Sequence, residues 1–569
     1  MISQTKVLSA VTLAALVQAP LAGQQEHEHP SGSHGRVDFQ VSCAPEVQGP
    51  FNEAVAMLHS FGYELARGAF IDVAKRDPAC GMAHWGEAMS YYHSLWAPPT
   101  PEELAAGRVA AERAVSIGAG TARERAYVEA VLTFYRDADR LDHRTRAVAY
   151  RDAMEQLARE FPDDDEASIF LALAILGAAP PSDSAYAEQK RAAEILSGLL
   201  PRHPRHPGIA HYTIHAFDYP ELAELALPAA RVYADIAQSP HALHMPSHIF
   251  TRLGLWDESI AANIDCEQAA SLRVERTHPG AASFEALHCE DYLAYAYLQL
   301  GDDERARQVV ERVSSAERFD EPSFTVGYAL PAVPARYALE RRDWNAASHL
   351  SRPAIELPWH QYEYAHAVTH FANAIGAART GDTLRARRAV AELEQLHASL
   401  AANPAAGPYD WAGQVEATHL AAAGWLAFAE DRHEEAVRLM RLAAEKEEAV
   451  GKHPVTPGAI LPARELLGDL LLELGRPRDA LLAYEAALAD APRRFNAIVG
   501  AARAARAAGE TDRAAEYYRA LVELAGASAT QRTELAEARE FLASSAESRR
   551  GGPGKAADGR PVARSSSLL

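Results

Sequence analysis

The chain has 569 residues, 48% of them hydrophobic, and a formal charge of −21 from 77 Asp and Glu against 56 Lys and Arg. That balance argues against a nucleic-acid partner, because binding a phosphate backbone needs a basic face. No segment carries a run of about 20 apolar residues, so no membrane-spanning helix is expected.

The first expected element is an export signal over residues 1–23. Lys6 precedes the apolar run Val7–Val17, and APLAGQQ offers small residues for cleavage near Ala22 or Gly23. No cysteine follows that site, which disfavours a lipid anchor, so a periplasmic or secreted location is expected. Residues 24–45, with His27, His29 and His34, read as a polar, solvated linker. Four cysteines are present, Cys43, Cys80, Cys266 and Cys289. An even number in an exported chain permits two disulfides in three connectivities, of which sequence proximity favours Cys43–Cys80 and Cys266–Cys289. Four buried thiols are the alternative.

Helical patterning then runs from near Phe51 to about Ser545, with no stretch of strand-like alternation. In the first block, 46–200, Ala66, Phe70 and Pro78 occupy repeat positions. The landmarks weaken between Pro101 and Gly177, where Asp163–Glu166 reads as a helix cap and first turn. In the central block, 201–320, Gly254 with Ser259 and Gly301 with Ala306 mark two helix–turn–helix units. The last block, 321–545, contains Gly424 with Ala436 and then the clearest unit: Gly468 on the first helix, Gly475 in the turn, Ala480 and Tyr484 on the second, Pro492 at the end. Adding 34 residues leads to Gly509, Ala514 and Tyr518. A period of 33–34 residues is that of the tetratricopeptide repeat, one helix hairpin per period. The expected fold is therefore an all-α solenoid of the tetratricopeptide type. The Gly, Ser and Arg-rich tail, 546–569, is expected to be disordered.

The segments LHSFGYELARGAF, MAHWGEAMS, HYTIHAFDYP, HALHMPSHIFTRLGLW and HPVTPGAILPARELLGDLLLELG resemble those of a group of exported bacterial tetratricopeptide-repeat proteins. The resemblance spans residues 46–525. It implies the fold and the export route, and it implies no reaction.

Histidine is the unusual residue. Nine of the 24 histidines lie between His203 and His288. Pro207, His211 and His215 recur 33 residues later as Pro240, His244 and His248. Within each copy the histidines are four apart and share a helix face. Counted from the turn glycines Gly254 and Gly301, repeat positions 2, 5, 9 and 13 hold His241, His244, His248 and Arg252, then His288 and Asp291 in the next unit. These positions line the concave groove of tetratricopeptide proteins. Pro246 stands between His244 and His248 and could turn their rings apart by kinking the helix.

Two functional readings compete. In the first, the groove centred on His211, His215, His241, His244, His248, Arg252, His288 and Asp291 binds a protein, a peptide or a small ligand. In the second, His211, His215, His244 and His248 hold zinc, copper or nickel, with Asp291 as ligand or orienting group, in a metal carrier or a metal-dependent enzyme. A purely structural subunit, in which the histidines only hydrogen-bond within the fold, is the plain alternative. His366 with His370, and His84, Trp85, His93 and Trp96, read as packing. No phosphate loop, H-E-x-x-H or G-x-S-x-G motif is present; His433-Glu434 lacks a second histidine, and Gly118–Gly120 is too sparse for a dinucleotide fingerprint.

Overall fold

The computed structural model describes residues 34–95, 98–180, 185–404, 409–526, 530 and 532–550. The expected signal over 1–23, the first part of the linker, Trp96 and the end of the tail lie outside the described residues. Among the described residues there are 26 α-helices, two short 3-10 turns and no strand; one isolated bridge joins Ala282 to Phe319. No described helix is long and apolar enough to cross a membrane.

Successive helices pair as antiparallel hairpins and stack in chain order, the architecture of a tetratricopeptide-type α-solenoid. Its local rules are those of the repeat. Gly475 and Gly509 close their turns at φ of +69° and +81°, values that L side chains rarely adopt. Ala480 and Ala514 are fully buried where helices approach each other. The Tyr484 ring lies against both Gly468 and Gly500, where an added Cβ would come within 2.8 Å and 2.2 Å of it. One tyrosine thus seals its own hairpin against the next, and larger residues at either glycine would push the units apart.

The apolar interior is not one continuous core. One core runs from Val37 to Ala216 and another from Trp256 to Ala538. Between them the helices Pro207–Phe217, Ala223–Ile236, Pro240–His244 and Pro246–Arg252 share only a small core. The histidines gather at this gap.

Among the irregular segments, two bear on the site. Residues 34–44 are no solvated linker: Arg36 donates to the Arg205 carbonyl, and the Phe39 ring is fully buried among Phe51, Trp85 and Tyr127. Burying Phe39 makes this stretch part of the N-terminal core, which its polar composition hid. The Cys43–Cys80 disulfide fastens its end. The second segment, Gly451 to Pro462, joins the helices His433–Val450 and Ala463–Glu473 and packs against the central repeats. There the Arg336 guanidinium donates to the Gly458 and Ala459 carbonyls at 2.8 and 2.7 Å.

The C-terminal repeats also pack onto the central ones. The Trp256 indole donates to the Arg493 carbonyl at 3.0 Å. Gly254, at φ +65°, lies so close to Pro492 that a Cβ would stand 2.5 Å from its carbonyl oxygen. Arg494 is fully buried and binds Glu465, Tyr295 and Glu340 at 2.9, 2.8 and 2.6 Å. A guanidinium removed from water needs such partners on every side.

Candidate metal centre

The six groove histidines sort into two triads. His211 and His215, on the helix Pro207–Phe217, meet His241 from the start of Pro240–His244. The Nε2 of His211 lies 3.1 Å from the Nε2 of both His215 and His241. The second triad is His244, His248 and His288, with the Nε2 atoms of His244 and His248 3.0 Å apart and the rings of His244 and His288 centred at 4.1 Å.

Pro246 does break the helix, as its missing N–H requires, and a new helix starts there with proline in its first turn. Met245 keeps helical φ and ψ, so the break hardly deflects the axis and the two rings still meet.

Each triad is oriented from outside. His211 Nδ1 donates to the His59 carbonyl at 2.7 Å. His244 Nδ1 donates to Asn263 Oδ1 at 2.7 Å; the Asn263 amide nitrogen is itself given to the Ser259 carbonyl, which fixes the oxygen toward His244. His248 Nδ1 donates to the Asp218 carboxylate at 3.0 Å. These bonds fix the tautomers: with Nδ1 protonated, the neutral ring leaves Nε2 as a bare acceptor. His244 and His248 therefore aim two lone pairs at each other, and neither can donate. In the first triad at most one neighbour can donate into the single Nε2 lone pair of His211.

A proton would relieve that contact, but the surroundings oppose it. Burial lowers the pKa of His211, His241, His244 and His288 well below 6.5, and mutual repulsion among the imidazoles lowers it further. Burial and the nearby His248 bring His215 to about 3. His248 is lowered by burial despite the attraction of Asp218. The imidazoles are neutral at pH 7, the form that binds metals.

The other expected groove residues have different roles. Arg252 turns away from the histidines to Asp218, its Nε 2.8 Å from Oδ1. Asp291, which we expected at a metal, is buried and bonded to Arg336 at 2.9 Å. His211, His244 and His248 are 0%, 1% and 6% exposed, while His215, His241, His288 and Arg252 are partly exposed, and Tyr292 beside them donates to the Thr456 carbonyl of the 451–462 segment. The two favoured disulfides are present, and Cys266–Cys289 fixes the helix bearing His288 to the one bearing Asn263. His84 bonds Glu87, and His366 lies against the Trp359 ring, both packing roles; His93 faces the Tyr63 ring.

Several residues of the site escaped sequence reasoning. Asp218, at the end of the Pro207–Phe217 helix, gathers His248, Arg252 and Lys452. Burial alone would raise its pKa, but Lys452, Arg252 and His248 hold it well below the usual carboxylate range. Burial lowers Lys452 to about 8. The expected cap and first turn within Asp163–Glu166 are present, with Asp164 as the cap and Asp165 and Glu166 in the first turn. Glu166 also turns inward and accepts from His59 and His206 at 3.1 and 2.9 Å, behind the carbonyl that orients His211. Phe61 holds a left-handed φ of +57° and places its ring 4.3 Å from that of His211; strain of this kind collects at functional sites.

Fold and site together define an α-solenoid repeat protein with two partly buried histidine triads at the junction of its cores. No protein-family model and no curated protein matches the chain. Among solved structures, a chain in the crystal structure of the APC/C hetero-tetramer Cut9-Hcn1 aligns over 88% of this chain and 95% of that one, at 11% identity and a TM-score of 0.27. At that score the likeness carries no argument about this chain.

Proposed function

We propose that this protein is an exported repeat protein that binds transition-metal ions in the triads His211/His215/His241 and His244/His248/His288. The observation that carries the reading is the His244–His248 contact: two bare Nε2 atoms 3.0 Å apart, each ring's other nitrogen already donating. A cation seated beside them turns a repulsive contact into two ligand bonds. Three imidazoles, one of them held by a carbonyl in the first triad and two by an amide and a carboxylate in the second, match the ligand set and outer shell of zinc, copper and nickel sites. The two disulfides support an oxidising, extracytoplasmic location.

The test is elemental analysis of untagged protein exported to a periplasm, with titration of zinc, copper and nickel into the stripped protein. About two ions per chain are expected, and none in the His211→Gln/His244→Gln variant, whose circular dichroism checks that it still folds. Wild type that is folded, metal-free and unable to take up any of the three ions would retire the reading. A subtler outcome is expected for Asp218→Asn. It keeps an oxygen near His248 but loses the charge, and affinity for one of the two ions should fall about 10- to 100-fold. Equal loss at both ions, or at neither, would show that Asp218 does not serve the second triad.

A further inference from the structure

We infer that Cys266 and Cys289, in their reduced form, complete with His244 a thiolate site for zinc, and that this site competes with the His244/His248/His288 triad for one imidazole ring. The competition rests on the metal-binding reading above; the sulfur site stands without it.

Three elements meet at the site. His244 ends the helix Pro240–His244, Cys266 lies in Trp256–Thr277 and Cys289 in Phe284–Gln299, and all three side chains are buried. Their ligand atoms lie within 4.8 Å of one another, with Cys289 Sγ 3.8 Å from His244 Nδ1. Around a tetrahedral zinc, with Zn–S about 2.3 Å and Zn–N about 2.0–2.1 Å, neighbouring sulfur and nitrogen ligands stand about 3.6 Å apart. Ring and sulfur are thus already near the separation the ion needs, and the bond between the two sulfurs is what excludes it. Two thiolates and an imidazole suit zinc, and the thiolates cancel both of its charges, which a buried site requires.

The competition follows from the ring itself. A neutral imidazole has one bare nitrogen. In the bridged protein His244 Nδ1 donates to Asn263, and Nε2 is left for the triad. When zinc takes Nδ1, the ring proton moves to Nε2 and is donated to His248 Nε2, 3.0 Å away. That relieves the lone-pair contact with no ion in the triad. Asn263 Oδ1 loses the ring N–H but keeps the Ser247 hydroxyl at 3.5 Å. One ring therefore serves one site at a time.

The chain is made with its thiols reduced, so the two sulfurs are open to zinc before the bridge closes. Binding releases the two thiol protons. Closure by a disulfide oxidant reverses it. The two thiolates give up two electrons and form the S–S bond, the oxidant's own disulfide opens to two thiols with two protons from solvent, and zinc leaves the sulfurs. The ring proton returns to Nδ1, and Nε2 again faces the triad. Bridge formation hands the ion from sulfur to imidazole.

The experiment uses full-length, untagged protein, oxidised and fully reduced, loaded with zinc for counting and with cobalt(II) for its absorption. A Cys266→Ser/Cys289→Ser variant is reduced in the same way. It retains Cys43 and Cys80, so whatever that pair binds cancels in the comparison. Expected is a sulfur-to-cobalt absorption band in the reduced wild type, absent from the oxidised protein and weaker in the reduced variant. Zinc counts should be equal in the reduced wild type and variant, because the variant's His244 returns to the triad. A band equally strong in both would overturn the sulfur site. If the serine variant does not fold, reduced His244→Gln carries the same test: it keeps both sulfurs, should lose most of the band, and overturns the site if the band is undiminished. One more zinc in the reduced wild type than in the variant, while the oxidised protein holds an ion in each triad, would overturn the competition. An oxidised protein that holds no ion would remove the metal reading of the triads, and the competition with it, while a sulfur band in the reduced form would still establish the thiolate site.

Discussion

Lowering the pH from 7.5 to 5.5 is expected to cost these sites far less metal affinity than it would cost three free imidazoles. At an ordinary site of three imidazoles with pKa near 6.5, three protons compete with the ion, and one unit below that pKa the affinity has fallen roughly 1,000-fold. Here burial and mutual repulsion hold all six imidazoles below that value, His215 at about 3, so there is little proton to displace. Metal titrations at the two pH values, with a competing chelator of known pH dependence, provide the measurement. A thousandfold loss would show that the imidazoles are as wet as free histidine. The same depressed pKa values act on stability. In the metal-free protein each of these histidines supports folding fully above the unfolded pKa near 6.5, and that support is lost as pH falls toward the folded value, because the unfolded chain takes up the proton first. Glu285, Glu290 and Glu447, raised to about 7 by burial, work in the opposite sense over the same range. The difference between metal-free and metal-bound acid unfolding therefore isolates the histidines.

Arg494→Met is expected to cost about 3–5 kcal/mol of stability, the usual result of removing one partner from a buried charge cluster. Its guanidinium is the sole positive charge bonded to both Glu340 and Glu465, 1% and 2% exposed, and it also reaches Tyr295. These partners belong to three different helices, so the loss falls on the docking of the C-terminal repeats against the central ones. Urea unfolding gives the number. Arg307→Met, which removes exposed pairs with Glu304 and Glu311, serves as the contrast and should leave the unfolding midpoint close to that of wild type. If the triple change Arg494→Met, Glu340→Gln and Glu465→Gln is as damaging as the single one, unpaired carboxylates are not the cause.

Repeat periodicity carried the fold. Gly475, Ala480 and Tyr484, repeated 34 residues on, announce helix hairpins because hairpin packing needs a left-handed turn, a small contact residue and a plug at fixed spacing. The same periodicity carried the histidines: a 33-residue recurrence puts His211 and His215 in the same register as His244 and His248. It did not carry their partners. The four were expected to form one set across adjacent repeats, whereas the structure divides them and completes each pair with His241 or His288. Which rings meet depends on the rotation from one repeat to the next, and a linear period holds no record of that angle.

Local signals, each spanning a turn or a hairpin, thus established the all-α solenoid, its register, the cysteine pairs nearest in sequence and the presence of a histidine face. Long-range packing established the rest. Asp218, Lys452 and the 451–462 segment reach the site from up to about 240 residues away, and through Asp218 they orient His248. Glu166 sits in a helix's first turn, where a carboxylate needs no further explanation, yet the fold turns it to His59 and His206. Burial, tautomer and pKa are properties of the space around a side chain, and in a solenoid that closes on itself that space is built by residues the repeat pattern never places side by side.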